Sequence, residues 1–285
     1  MTGAWSAPPG CEIRLRAGVK RMPLATSKGL RSPAALAEVP AVILCGGLGT
    51  RLRPVVPDRP KGLALVGGRP FLEYLFGWLR GAGIHDLILC TGYASEAIRE
   101  HFGTGGPCGL SLRYSEEAVP LGTGGALRGA EHLISKGTFL VLNGDSIVDV
   151  DLERLLIDHL RRKSAATMTL ALAPQPERYG QVSIGEQQEV LAFAEKEAAG
   201  ASGPARASRY INGGVYAFQR EALALIPPAP PAVSLERSVL PRLIGNGLRG
   251  FRSEGYFIDI GVPEDFRRAQ EELPRRLGYV HAHPR

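Results

Sequence analysis

No stretch of these 285 residues is apolar for long enough to cross a membrane, and the first thirty residues lack the apolar centre of a secretion signal. Cysteine is scarce. The four residues Cys11, Cys45, Cys90 and Cys108 form no CxxC pair, and two of them fall inside strand-like runs. That argues against a disulfide scaffold and predicts reduced thiols in a cytoplasmic protein. Internal repeats are missing, including any hexapeptide array that would add a β-helix tail. Glycine (36) and proline (22) are frequent, yet they punctuate periodic segments and build no low-complexity tract.

Basic charge on the body of the chain is lacking as well. The net charge is +6, but residues 1–40 carry +4 and residues 275–285 carry +3, which leaves −1 for residues 41–274. A nucleic-acid footprint belongs on a folded surface, so the excess in the two ends speaks against nucleic acid as a partner. Residues 1–39 show no sustained periodicity and are expected to be a disordered basic extension, with Met22 as a second place where translation could start. Residues 275–285 read as a basic tail.

From Ala41 onward, apolar runs alternate with helix-like stretches. Strands are predicted at 41–45, 86–91, 110–114, 138–142 and 166–172, and helices at 70–81, 94–102, 123–134 and 152–163. This alternation predicts a Rossmann-like, doubly wound α/β fold: a mostly parallel sheet flanked by helices. After Pro174 the strands shorten (181–184, 190–195, 209–218). A helix near 234–244, strands near 248–252 and 256–260 and a helix at 263–273 complete the pattern. Residues 40–274 are therefore expected to form one domain. Its first half, 40–174, would bind a nucleotide, and its second half, 175–274, would add β-rich insertions to the same sheet for a second substrate.

The most informative stretch is LCGGLGTRLRP, residues 44–54, directly behind the run Ala41-Val42-Ile43-Leu44. Bare glycine backbone followed by Arg51 and Arg53 suits an anionic ligand. The loop is not a dinucleotide fingerprint, because Leu52 stands where GxGxxG needs a third glycine, and GK[ST] of the Walker A loop is absent. GNGLRG at 245–250 does fit GxGxxG, but it follows a helix and precedes a strand, so it is read as a turn. DRPKG downstream places Lys61 where it could return to the end of the first strand. Backbone donors, a guanidinium and an ammonium converging there suit a polyphosphate.

GGLGTRLRP…RPKG resembles the signature of the sugar nucleotidyltransferases, which join a sugar 1-phosphate to a nucleoside triphosphate and release pyrophosphate. The resemblance continues in order through LGTGGAL (121–127), NGDS (143–146), RYG (178–180), EK (195–196), INGGVY (211–216) and YFIDIGVPEDF (256–266). The spacing through SLERSVLPRL (234–243) is most similar to the guanylyltransferase branch acting on heptose 1-phosphate. Two positions depart from the family pattern: PKP is PKG here, with Gly62, and EKP is EKE, with Glu197.

The resemblance implies roles residue by residue. Arg51 and Lys61 would act on the triphosphate. Gly46, Gly47, Gly49 and Thr50, with Gly122, Gly124 and Gly125, would bring backbone to the base and ribose. Lys196 would hold the sugar's phosphate and Glu195 its hydroxyls, with Tyr179, Gly180, Asn212 and Gly213 completing the pocket. Asp145 and Asp259 would hold Mg²⁺ as cofactor. A hard cation of this kind takes one or two carboxylates plus phosphate oxygens. Alone, each aspartate reads equally well as a turn cap or a salt-bridge partner. Asp149 and Asp151 form a rival pair, but Asp151 stands directly before a helical run and is better read as its N-cap.

Glu116 and Glu117 are placed to accept from guanine N1–H and N2–H, which favours GTP. A uridylyl- or thymidylyltransferase for a hexose or amino-sugar phosphate is the alternative, and a sugar- or nucleotide-sensing subunit without catalysis is another. None of the six histidines falls in a motif, as expected where the nucleophile is an already charged phosphate oxygen. The expected partners are the nucleoside triphosphate and the sugar 1-phosphate, with no membrane; a homo-oligomer is compatible with the sequence.

Overall fold

Four strands, three of them buried, follow one another through helical crossovers. β1 (Ala41–Leu44) is buried on both faces and therefore reads as an unbroken apolar run. α1 (Phe71–Gly81) leads to β4 (Asp86–Thr91), and α2 (Ser95–Phe102) to β5 (Ser111–Glu116). α3 (Gly122–Gly129) then leads to β6 (Thr138–Asn143). A short hairpin, β2 (Leu65–Val66) with β3 (Arg69–Pro70), precedes α1. The computed structural model describes residues 36–135, 137–173, 175–194 and 208–278.

β1 pairs in parallel with β4 on one side, Ala41 opposite Leu87, and with β6 on the other, Ala41 opposite Leu140. β5 extends the parallel array beyond β4. The chain thus winds outward from β1 through β4 to β5, then returns to the opposite side of β1. That reversal opens a crevice at the carboxyl ends of β1 and β6, the place where open α/β sheets bind ligands.

The remaining strands turn the sheet antiparallel. After β7 (Ser146–Val148), α4 (Leu152–Arg161) leads to β8 (Ala166–Leu172). The hairpin of β9 (Gln181–Ile184) and β10 (Val190–Ala194) precedes β11 (Tyr210–Gln219), which pairs antiparallel with β6, β8 and β9. A π-turn at Leu235–Val239 runs into α5 (Leu240–Leu243), where the pattern predicts one helix over 234–244. β12 (Leu248–Arg252) lies parallel on β8, β13 (Phe257–Asp259) forms a separate ribbon with β7, and α6 (Pro263–Arg276) closes the described chain. Among the described residues the sheet has nine strands, and the Rossmann-like, doubly wound class with β-rich additions is the observed one.

Local chemistry explains the helices. Asp151 caps α4 as expected, accepting from Arg154 N–H at 3.0 Å, and Leu152, Leu155, Leu156 and His159 follow at helical spacing on its buried face. α1 buries Phe71, Leu72, Tyr74, Leu75, Phe76 and Leu79 completely. Most of the expected extension 1–39 lies outside the described residues; Leu36 packs into the core. Cys45 and Cys90 are free thiols, but Cys108 is disulfide-bonded, which corrects the expectation of reduced thiols at that position. It sits on the turn Gly106–Cys108, where periodicity carries no information about neighbours. No helix among the described residues is long and apolar enough to cross a membrane.

Candidate active site

The two aspartates meet because a small ribbon brings them together. β13 pairs antiparallel with β7 so that Asp259 lies opposite Ser146, and Ile260 N–H donates to the Asp145 carbonyl at 2.9 Å. Asp145 itself follows β6 in the turn Asn143-Gly144-Asp145. Gly144 N–H donates to Leu44 C=O at 2.9 Å, and a Cβ on Gly144 would stand 2.7 Å from Cys45 Cβ. Only glycine lets this turn lie against the end of β1.

Lys61 completes the cluster. It lies on the turn Lys61–Leu63, and its ammonium stands 2.5 Å from Asp145 Oδ2 and 3.8 Å from Asp259 Oδ1. Asp259 also accepts from Gly261 N–H at 2.6 Å. Burial and the neighbouring Asp145 push the Asp259 carboxyl up to about 6, against the opposing pull of Lys61, the Gly261 amide and Arg51. The charge balance there is two carboxylates against one close ammonium, with Arg51 near enough to act on Asp259.

Beside the cluster opens a cavity of about 430 Å³. Arg51, Asn143, Asp145, Ser146 and Asp259 line it from the parallel side, and Arg178, Tyr179, Gly180, Asn212 and Gly214 from the antiparallel side. Buried Asn143 Oδ1 and Ser146 Oγ have no hydrogen-bond partner among the described residues. Polar atoms of this kind are satisfied by a ligand or by water. The β11–β8 pairing is bulged between Asn212, opposite Leu170, and Tyr216, opposite Met168. The Asn212 side-chain amide donates to Tyr216 Oη at 2.6 Å and its carbonyl accepts from Gly214 N–H at 3.0 Å. Tyr179 packs edge-on against Phe257, centroids 5.3 Å apart, and Phe257 also faces the cavity.

Several expected site residues stand elsewhere. Gly213 does not line the cavity; a Cβ there would meet Thr169 C=O at 3.0 Å, so the position serves the close approach of β11 to β8. Gly124 and Gly125 both donate their N–H groups to the Val233 carbonyl, at 2.8 and 3.2 Å, so these amides are already used within the protein. Gly122 has φ +77°, and a Cβ would stand 2.5 Å from that same carbonyl. Glu116 is exposed, does not line the cavity and is bound by the Arg99 guanidinium. Glu195 and Lys196 lie outside the described residues.

Glu117 does not line the cavity either, but it sits at the head of the glycine loop. It accepts from Leu121 N–H at 2.8 Å through Oε2, while Oε1 lies 3.2 Å from where a Gly46 Cβ would be. Burial raises its carboxyl above the usual range, partly offset by the Leu121 amide. Gly47 and Thr50 are exposed on this loop, and Gly49 adjoins Lys61 Cβ. Leu52 anchors it, fully buried, with its N–H and that of Arg53 both on the Gly49 carbonyl.

Motif reading missed the wall formed by Thr123, Ser234, Glu236 and Arg237. Glu236 Oε2 accepts from Thr123 Oγ1 at 2.7 Å and Ser234 Oγ at 3.0 Å, and Leu235 N–H donates to Thr123 Oγ1 at 2.8 Å. The stretch SLER was the available signal, but its neighbour LGTGGAL lies about 110 residues away. Arg178, within RYG, was passed over as well.

The family model for nucleotidyl transferases matches residues 40–276. The D-glycero-α-D-manno-heptose 1-phosphate guanylyltransferase of Aneurinibacillus thermoaerophilus is 41% identical over 236 residues, covering 82% of this chain and 97% of that protein. The mannose-1-phosphate guanylyltransferase of Mycobacterium tuberculosis is 36% identical over 243 residues, covering 84% of this chain and 66% of that one. The crystal structure of HddC from Yersinia pseudotuberculosis complexed with GMP-PN superposes with a TM-score of 0.70 at 32% identity, over 82% of this chain and 99% of that chain.

Proposed function

The chain belongs to the nucleotidyl transferase family, and from that premise we propose that it transfers GMP from GTP to a manno-configured heptose or mannose 1-phosphate, giving a GDP-sugar and pyrophosphate. The observation that carries the reading is the Asp145–Asp259–Lys61 cluster at the sheet's switch point, opening on a polar cavity. The guanylyl and heptose assignments draw on the relatives whose names carry them.

The cluster fits Mg²⁺. Among the described residues, no three His, Cys, Asp or Glu side chains converge, so the ion would rest on Asp145 and Asp259 plus phosphate oxygens. Two adjacent carboxylates, one with a pKa raised by burial and then by the other, are the donor set a hard divalent cation relieves. Bound there, Mg²⁺ would supply neutralisation of phosphate charge.

A phosphate oxygen of the sugar 1-phosphate attacks the α-phosphorus of GTP in line, and the bond to the β-phosphate oxygen breaks as pyrophosphate leaves. The nucleophile is already an anion, so no base is required of the protein. Arg51 and Lys61 hold the triphosphate and offset the charge that spreads over it. Glu117 Oε1, with Oε2 occupied by Leu121 N–H, accepts from the guanine edge. Tyr179, Gly180 and Asn212 hold the sugar on the antiparallel side.

The test is pyrophosphate release, crossing GTP, ATP, CTP, UTP and dTTP with a panel of sugar 1-phosphates. GTP with a manno-configured acceptor should give the highest kcat/KM. Preference for UTP or dTTP would overturn the base assignment, and no release with any pair would overturn the transferase reading.

A further inference from the structure

Asp265 lies outside the cavity, 2% exposed, in the first turn of α6. Burying a carboxylate is costly unless donors meet it, and three do. Tyr179 Oη donates to Oδ2 at 3.0 Å, Arg178 Nη2 donates to the same oxygen at 3.1 Å, and Arg268 Nη1 stands 3.5 Å from Oδ1. Two of these donors, Arg178 and Tyr179, line the cavity from the turn Pro176–Arg178 and the residue after it. That turn is short, and its own backbone bonds are Arg178 N–H to Gln175 C=O and Tyr179 N–H to Pro176 C=O, both 3.1 Å. Arg178 Nη1 also donates to Gln175 Oε1 at 3.2 Å, and the Tyr179 ring packs edge-on against Phe257. Asp265 meets both side chains at once, from across the fold.

We propose that Asp265 is a positioning residue for the sugar-phosphate end of the reaction, holding Arg178 and Tyr179 in their cavity-facing directions through one buried carboxylate. The proposal rests on the reading that sugar 1-phosphate binds at Tyr179–Gly180. The geometry supports it in two further ways. Asp265 stands at the N-terminal end of α6, where the helix dipole favours the ionised form that Arg178 requires. The helix begins four residues after Asp259, so one segment carries both the candidate metal carboxylate and the anchor of the sugar wall. Arg178 is meanwhile held on its other side by Glu264, 3.2 Å from Nη1, an exposed contact that cannot substitute for the buried one.

Asp265→Asn keeps the shape and removes the charge. It should raise the KM for the sugar 1-phosphate on the order of tenfold, leave the KM for GTP within about twofold, and speed amide exchange at Arg178 and Tyr179 while exchange in β1 and β6 is unchanged. A purely structural role would move both KM values or neither. Equal changes in the two KM values, or unchanged exchange at Arg178 and Tyr179, would overturn the proposal. If Asp265→Asn does not fold, Asp265→Glu decides by the same readouts: it retains the charge but displaces it by one methylene, and a wild-type KM and exchange pattern refutes positioning. If the wild-type protein releases no pyrophosphate with any sugar 1-phosphate, the transferase reading falls, and the exchange measurement alone still decides whether Asp265 holds the two side chains.

Discussion

Lys61 supplies the close positive charge for two carboxylates that would otherwise repel each other, and the same ammonium faces the place where triphosphate oxygens would sit. A lysine in that position contributes more as negative charge spreads in the transition state than in the ground state. Lys61→Met should therefore lower kcat on the order of 100-fold or more with little change in the KM for GTP, as steady-state kinetics will show. Asp145→Asn and Asp259→Asn are nearly isosteric, so thermal unfolding should stay close to wild type while turnover at saturating Mg²⁺ falls by a comparable factor. Near-normal rates in both Asn variants would remove the carboxylates from the chemistry. At this scale the motifs made Asp145, Asp259, Arg51 and Lys61 legible, since each stands in a short stretch with a distinctive neighbour. They could not distinguish Glu116 from Glu117. Adjacent residues at a strand end leave on different sides, and only the third dimension shows that Arg99 binds the first while the second meets the glycine loop.

Elements show a different division. The buried runs of β1, β4, β6 and β8 announce themselves as continuous apolar segments. The ribbon of β7 and β13 does not, because three-residue strands whose partners are more than a hundred residues apart carry no periodic signal. The glycines of LGTGGAL read as a ligand cradle, and two of their amides, those of Gly124 and Gly125, go to Val233 C=O. Gly122→Ala should thus cost on the order of 1–3 kcal/mol, from the positive φ and the 2.5 Å approach to that carbonyl. Gly81→Ala, at the end of α1 with nothing within 4 Å of the new Cβ, should be neutral or slightly stabilising in the same melting experiment. A second element-level device joins α4 to the sheet. Thr138 donates to the Gln219 carbonyl, the Gln219 amide donates to His159 Nε2 at 3.2 Å, and His159 Nδ1–H donates to Thr167 Oγ1 at 2.9 Å. Burial pushes this histidine from its ordinary 6.5 down to about 4. Above pH 6.5 it is neutral whether the chain is folded or not. Between 6.5 and 4 the unfolded chain takes a proton that the folded one refuses, so stability falls as pH drops, by about 3 kcal/mol from this group. Melting temperature against pH should therefore fall less steeply over that window for His159→Gln than for wild type.

On the scale of the whole molecule, one sheet changes direction and carries both walls of the cavity. Arg51 and Asn143 line it on the side of the parallel strands and Tyr179, Gly180 and Asn212 on the side of the antiparallel ones, with the Asp145–Asp259 pair between, while the glycine loop and Glu117 stand beyond that lining. Alternating runs made the parallel half legible, whereas the bulge that follows Asn212 in β11 depends on pairing with β8 and has no counterpart in local sequence. The layout implies that base choice and sugar choice are set by separate residues. Glu117 is the test on the nucleotide side. With Oε2 committed to Leu121 N–H, its other oxygen would, on the proposed reading, meet guanine as an acceptor facing the adjacent N1–H and N2–H donors. Uracil offers a single N3–H flanked by two carbonyl oxygens, which a carboxylate repels. Glu117→Gln keeps the shape but replaces half of that acceptor with a donor, so discrimination should fall because GTP loses binding and UTP loses its repulsion. The expected outcome is a drop on the order of tenfold or more in the ratio of kcat/KM for GTP to that for UTP, with the KM for the sugar 1-phosphate unmoved. An unchanged ratio would place guanine recognition elsewhere on the loop, while a shifted sugar KM would show that the two halves of the site are not independent.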